Sequence, residues 1–355
     1  MSSAKQKGFT LVELLVVIAI IAILMALSLG VISKVYLAID EMRTGSDIEK
    51  LSESCNLFKS TFGRYPPSKI ILCENPAHYS WLITNGTNGL SQIATYSSEY
   101  LSNVFPGSLT TGNHIDWTGL LPGLNTTPTS SGTPTPGPSN GSRFFVLEGH
   151  ECLVFFLGGI RPNSGSGPRS LAGFNTDKSR PCVMSTGQRL GPFYEFDAGR
   201  LKDTTNPFSL GQFQAYDDHY GKPYAYFAAR TPGMNNYIHP GCPLLVGQPA
   251  LTIQHMSDCY TLTLNYVPLW KNVVVNPPLP PTGITYHKAD TYQIVSAGKD
   301  KLYGCGGRWN QADPETSDFM YMNWPTPSVA ATPIEDRQYV YDNITNVSNG
   351  RVVPK

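Results

Sequence analysis

Glu13 is the residue with the most chemical consequence in this sequence. It follows Gly8-Phe9-Thr10-Leu11-Val12 and stands directly before an apolar run over residues 14–33, twenty residues with no charge and no proline. At about 1.5 Å per residue such a run spans roughly 30 Å as a helix, the thickness of a bilayer core. A carboxylate at the edge of that segment is costly in lipid and calls for donors or a cation, so its chemistry is charge pairing. One source is local. Thr10-x-x-Glu13 has the spacing of a capping box, in which threonine and glutamate close a helix's first orphan N–H groups. The other source is a cation brought from elsewhere. A secretory signal peptide is the rival reading of the run, but such a peptide has a shorter apolar region, a small-residue cleavage site and no acid at its start. Ala26-Leu27-Ser28 and Ser28-Leu29-Gly30 fit that cleavage weakly.

Two other groups of side chains have ligand chemistry. Asp300, Asp313, Glu315 and Asp318 offer hard oxygen ligands beside Gly304 and Gly307, where backbone carbonyls can turn inward, a combination suited to calcium but without an EF-hand pattern. The bland alternative is a solvated turn. His239-x-x-Cys242 and His255-x-x-x-Cys259 have a zinc-like spacing with twelve residues between the pairs. Zinc is disfavoured there, because exported cysteines oxidise and the His-first order is unusual for zinc; the alternative is a Cys242–Cys259 disulfide or unpaired buried thiols. With Cys55, Cys73, Cys152, Cys182 and Cys305 the chain has seven cysteines, which allows up to three disulfides and leaves one thiol over.

Catalytic patterns are weak. Ser296-x-x-Lys299 has the form of a serine-lysine nucleophile pair, without the companion motifs of penicillin-binding enzymes. Gly149-His150-Glu151-Cys152 lacks the second histidine of a helical zinc motif. No phosphate-binding loop of the form Gly-x-x-x-x-Gly-Lys-Ser/Thr occurs in the sequence. The chain is expected not to be an enzyme.

The elements that must position these groups begin with one long helix. Beyond the apolar run, residues 35–62 carry apolar side chains at Leu37, Met42, Ile48, Leu51, Cys55, Leu57 and Phe58, near helical spacing, with no proline before Pro66. A helix from Phe9 to about Phe62 would be roughly 80 Å long. Gly30 is a weak point, and Gly45 followed by Ser46-x-x-Glu49 suggests a kink and a restart. Gly63-Arg64-Tyr65-Pro66-Pro67 stops the helix. The rest, residues 63–355, reads as one head domain with loop excursions at 123–142 and 161–169 and strands at 143–147, 152–157, 224–228, 260–266 and 292–296. The expected fold class is α+β, a long N-terminal helix packed on an antiparallel β-sheet head.

Residues 5–24 resemble the type IV prepilin signature shared by pilins and type II secretion pseudopilins: lysines, then Gly8-Phe9-Thr10-Leu11-Val12-Glu13, then Leu14-Leu15-Val16-Val17-Ile18. The resemblance implies a leader over residues 1–8, cleavage after Gly8 by prepilin peptidase, methylation of the new amino group of Phe9, and assembly into a helical filament. Lys5 and Lys7 fit a cytoplasmic N-terminus. Cleavage would give Phe9 an ammonium group, the cation that a buried Glu13 carboxylate needs, on its own or a neighbouring subunit. Losing Lys5 and Lys7 takes 26 basic residues to 24 against 26 acidic, a net charge near −2 with no global drive toward nucleic acid.

Later segments narrow the resemblance. Asp47-Ile48-Glu49-Lys50-Leu51 through Gly63-Arg64-Tyr65-Pro66, then Asp217-Asp218-His219-Tyr220-Gly221-Lys222-Pro223-Tyr224, Tyr292 to Asp300, and Asp342-Asn343-Ile344 are similar, in that order, to segments of the major pseudopilin of type II secretion systems. In that family the loop corresponding to residues 297–318 binds calcium. Tyr220 in place of a tryptophan, Cys305, Trp309 and Gly30 in place of a kinking proline depart from it. The resemblance further implies a homo-oligomeric filament, an assembly platform and ATPase in the inner membrane, minor pilins or pseudopilins, and contact with the lipid bilayer. The implied location is the bacterial inner membrane, crossed once with the head periplasmic, and then a periplasmic or cell-surface filament. The alternative is a singly anchored cell-surface binding protein with a prepilin-type N-terminus.

Overall fold

The computed structural model describes residues 9–86, 90–110, 113–118, 135–136, 143–162, 170–184, 188–206, 209, 212–229, 267–272, 285–303, 306–308, 342–348 and 350–351. Its first element, α1 (Leu11–Phe62), is a single α-helix of 52 residues that runs through both Gly30 and Gly45. The restart at Ser46-x-x-Glu49 is therefore not used, since two isolated glycines lower helix propensity without removing a backbone donor. The helix ends as the sequence predicts. Gly63 takes a φ of +78° and its N–H donates to the Lys59 carbonyl at 2.7 Å, the left-handed C-terminal cap that glycine adopts without a Cβ clash.

The chain divides into two compact units, residues 1–43 and 44–355. In the first, the described apolar side chains of α1 face outward, among them Phe9, Leu11, Leu14, Ile18 and Ile23. Among the described residues no helix is long and apolar enough to cross a membrane, and the side chains of 27–35, within the predicted run, are not described.

In the second unit α1 contributes Ile48, Leu51, Cys55, Phe58 and Phe62 to the core, spaced by three and four residues along one face. Leu57, included by the sequence reading in the same periodic set, lies on the exposed face. The chain continues through β1 (Lys69–Cys73), α2 (Ala77–Asn85), α3 (Leu90–Val104), β2 (Thr135–Pro136), β3 (Arg143–Glu148) and α4 (Gly149–Gly158). Short strands follow: β4 (Phe174–Asn175), β5 (Arg189–Leu190), β6 (Leu201–Asp203), β7 (Gln214–Tyr216), β8 (Ala225–Ala228), β9 (Val267–Asn272), β10 (Thr285–Tyr286), β11 (Tyr292–Ser296), β12 (Gly306–Arg308), β13 (Ile344–Thr345) and β14 (Gly350–Arg351).

These strands form several small sheets. One has the order β1-β3-β2, one β10-β9-β12, one β14-β13-β11-β8, and two are two-stranded, β4-β5 and β6-β7. Most pairs are antiparallel, but β2 runs parallel to β3 and β12 parallel to β9. The expected strands at 143–147, 224–228 and 292–296 correspond to β3, β8 and β11. Residues 260–266 lie outside the described set, as do most of 123–142 and 163–169. The four-stranded sheet meets the stem and the turn that follows it through hydroxyls: Tyr292 donates to the Ser52 carbonyl of α1 at 2.9 Å and Tyr226 to the Pro66 carbonyl at 2.8 Å.

The strand expected at 152–157 is instead part of α4. All ten residues of that helix are buried, and Cys152 to Leu157 form an unbroken apolar run, so the sequence shows no 3.6-residue period. Its start is fixed by side chains. Glu148 and Glu151 form a capping box in which the Glu148 N–H donates to Glu151 Oε2 at 3.0 Å. Helix α3 was also missed, although its buried face, Ile93, Ala94, Ser97, Tyr100, Leu101 and Val104, has clean helical spacing.

Candidate functional site

At the head of α1 the capping box forms. The Thr10 N–H and hydroxyl both donate to Glu13 Oε2, at 2.8 and 2.7 Å, and the Glu13 N–H donates to Thr10 Oγ1 at 3.3 Å. Among the described residues Glu13 Oε1 takes no hydrogen bond. The two roles read for this acid are therefore compatible, because one oxygen serves the helix and the other stays open to a cation. Phe9 is exposed beside it, and Gly8 lies outside the described residues.

A second charged cluster sits where α1 joins the core of the larger unit. Asp47 Oδ2 lies 2.7 Å from Arg200 Nη1, 3.2 Å from His219 Nε2 and 3.3 Å from the Tyr224 hydroxyl. Arg200 completes its fork by donating through Nε and Nη2 to the Asp217 carbonyl, and its guanidinium lies 4.3 Å from the Tyr216 ring centre. Burial works against the Arg200 cation, but the Asp47 hydrogen bond and the surrounding charges raise its pKa above the ordinary value. Sequence reasoning missed this pairing, since nothing local marks residues so far apart in the chain as partners. Its arrangement is that of a structural clamp on the stem.

The Asp217–Tyr224 segment, the Tyr292–Asp300 segment and Asp342 meet in space. The Ser296 hydroxyl donates to Asp218 Oδ2 at 2.6 Å, while Asp218 Oδ1 accepts the Tyr220 and Lys222 N–H groups. Ser296 also accepts the Gly298 N–H at 3.1 Å, so the hydroxyl is engaged in turn geometry, with Lys299 exposed. Next to it the Asp300 N–H donates to Asp342 Oδ2 at 3.0 Å. Burial, followed by the Asp342 carboxylate, pushes the Asp300 pKa up to about 6 while the Leu302 N–H pulls it down. Asp313, Glu315 and Asp318 lie outside the described residues, and among the described residues no group of three or more His, Cys, Asp or Glu side chains is placed to hold a metal.

Among the described residues Cys55, Cys73, Cys152 and Cys182 are buried and stand outside any disulfide, so none of these four contributes to the disulfides the sequence allows. Packing decides this: each of the four is closed into the core, and burial raises the pKa of Cys55, Cys73 and Cys182 away from the reactive thiolate. Cys242 and Cys259, with His239 and His255, lie outside the described residues. His150 and Glu151 are buried in the first turn of α4, where burial depresses the histidine pKa to about 3. The Glu151 carboxylate accepts from Ser209, Thr204 at 2.5 Å and Asn206 at 2.6 Å, a role in fastening that loop to the helix.

The chain thus has an exposed Phe9 and a half-satisfied Glu13 at the start of a long helix, and an α+β unit further on. The model of the prokaryotic N-terminal methylation motif matches residues 3–29 and supports a type IV pilin-like chain processed by prepilin peptidase. No curated protein and no solved structure matches the chain.

Proposed function

We propose that this chain is a structural subunit of a type IV pilus-like or type II secretion pseudopilus filament. The observation that carries the reading is the methylation motif matched over residues 3–29, a stretch that contains Gly8, Phe9 and Glu13 and runs into the 52-residue helix. Cleavage after Gly8 converts the Phe9 nitrogen into an ammonium group, and Glu13 Oε1 is the oxygen left to receive it. The exposed apolar side chains of the first half of α1 require cover, first from the bilayer of the inner membrane and then from neighbouring helices in a filament core. The activity is mechanical, and the energy for assembly comes from a separate ATPase acting through a membrane platform.

Mass spectrometry of the mature protein tests the processing step. The expected N-terminus is an N-methylated Phe9; an intact Met1, or a cut near Ser28, would sink the proposal. A processed protein that stays monomeric would favour the singly anchored binding protein instead. Asp300 is retained as a calcium ligand with help from the acids that follow it in sequence. Calcium should then raise the melting temperature of the full chain and a chelator should reverse the rise, whereas an unchanged midpoint removes calcium from the account.

A further inference from the structure

In the larger unit, Gly45, Glu49, Ser52, Glu53 and Asn56 share one face of α1 and form one wall of a groove. Tyr65, Tyr292 of β11 and Thr345 of β13 line it as well. Its free volume is about 450 Å³, the size of a ligand site rather than of a bound water. Three features of the α1 wall are not explained by the chain's own packing. Gly45 lies inside a helix, where glycine costs roughly 1 kcal/mol relative to alanine, yet a Cβ at that position would have no atom within 4 Å. The Ser52 hydroxyl oxygen is buried with no partner among the described residues, whereas Ser54, Ser60 and Thr61 of the same helix each donate to a carbonyl about one turn back. Glu49 and Glu53 are like charges one turn apart, which weakens a helix, and neither has an ion pair among the described residues.

An approaching backbone accounts for Gly45 and Ser52. With no side chain at Gly45 a second chain can lie directly on the helix, and a peptide N–H can reach the open Ser52 oxygen. The charges define what that chain carries. Among the described lining residues two carboxylates stand against one ammonium, that of Lys288, which leaves the groove negative. The tyrosine rings favour an organic cation over a bare metal ion, and the Tyr65 ring already holds the Lys59 ammonium at 4.3 Å. Helix geometry then sets the spacing. From Gly45 to Asn56 the wall rises by about 16 Å, the reach of roughly five extended residues. Glu49 and Glu53 are about 6 Å apart along the axis, close to the roughly 6.7 Å between alternate residues of a strand, whose side chains point to the same side. Adjacent strand residues point to opposite sides, so only one of two neighbouring cations would face the wall.

We propose that this groove docks an extended segment of another protein that carries lysine or arginine at alternate positions, an interaction that does not rest on the filament reading. The test is calorimetric titration of the full chain, in an uncharged detergent, with three end-capped pentapeptides: Gly-Arg-Gly-Arg-Gly, Gly-Gly-Arg-Arg-Gly, and the first with citrulline in place of arginine. The alternating peptide should bind. The adjacent one should bind about fivefold more weakly, for the loss of one ion pair, and the citrulline one at least about tenfold more weakly. Gly45→Leu adds bulk to the wall without touching its charge. It should weaken binding of the alternating peptide at least about tenfold while the melting temperature holds or rises, because leucine favours a helix more than glycine does. Glu49→Gln combined with Glu53→Gln should abolish the preference between the two arginine spacings. Equal binding of the two arginine peptides, or full binding by folded Gly45→Leu, would mean attraction to surface charge only and would overturn the proposal. No binding of the alternating peptide would overturn it too. A second copy seated in the groove would instead appear as self-association that Gly45→Leu reverses, which also overturns it. The peptide comparison on the unaltered chain stands even if a variant fails to fold.

Discussion

Glu13→Ala is expected to abolish filament formation on overexpression while leaving cleavage after Gly8 intact. The acid lies five residues beyond the cut and is not part of the bond broken, so processing should continue. Assembly is different, because the Phe9 ammonium created by cleavage would be drawn into an apolar filament core without its counter-ion. Removing one partner of a buried ion pair costs about 3–5 kcal/mol. At about 1.4 kcal/mol for each factor of ten, that weakens every subunit addition by at least roughly two orders of magnitude. Glu13→Gln separates the two roles of the side chain. It keeps an oxygen for the Thr10 donors but carries no charge, so it should process normally and still fail to assemble. Sheared surface fractions examined by electron microscopy, with mass spectrometry of the membrane pool, provide the readout. Ordinary filaments from Glu13→Ala would refute the pairing.

The second large effect concerns the clamp between stem and head residues of the larger unit. Asp47 and Arg200 side chains are only 11% and 18% exposed at a separation of 2.7 Å, so removing either strands a charge in a poorly solvated place. Arg200→Leu is expected to lower unfolding free energy by about 3 kcal/mol, the low end of the range for a broken buried pair because some solvent reaches it. Asp47 would retain His219 and Tyr224, which sets a limit on the loss. The double variant Asp47→Leu, Arg200→Leu should recover much of it, since an apolar replacement removes both desolvated charges together. Denaturant unfolding of the full chain in detergent would measure the cycle. Strictly additive single effects would show that the two residues do not act as a pair.

The two clusters were unequally legible in the sequence. The Glu13 site depends on neighbours within one helical turn, and its capping partner Thr10 could be read from spacing alone. Helix α1, its end at Gly63 and strands β3, β8 and β11 follow from local propensity and pattern in the same way. Arg200 offered no such signal, since its partner Asp47 lies on a helix far away in sequence. Helix α4 was misread as a strand because complete burial erased its periodicity.

By itself, then, the sequence determined the features set by short-range geometry: the processing junction, the acid four residues beyond Phe9, the long helix and the places where it starts and stops. Tertiary structure alone decided which distant side chains became neighbours, which thiols were sealed in the core, how many small sheets the head would form, and where a groove was left along the stem. The physical reason is the range of the interactions. Helix caps and turns are made between residues a few positions apart, whereas burial and charge pairing depend on the path of the whole chain.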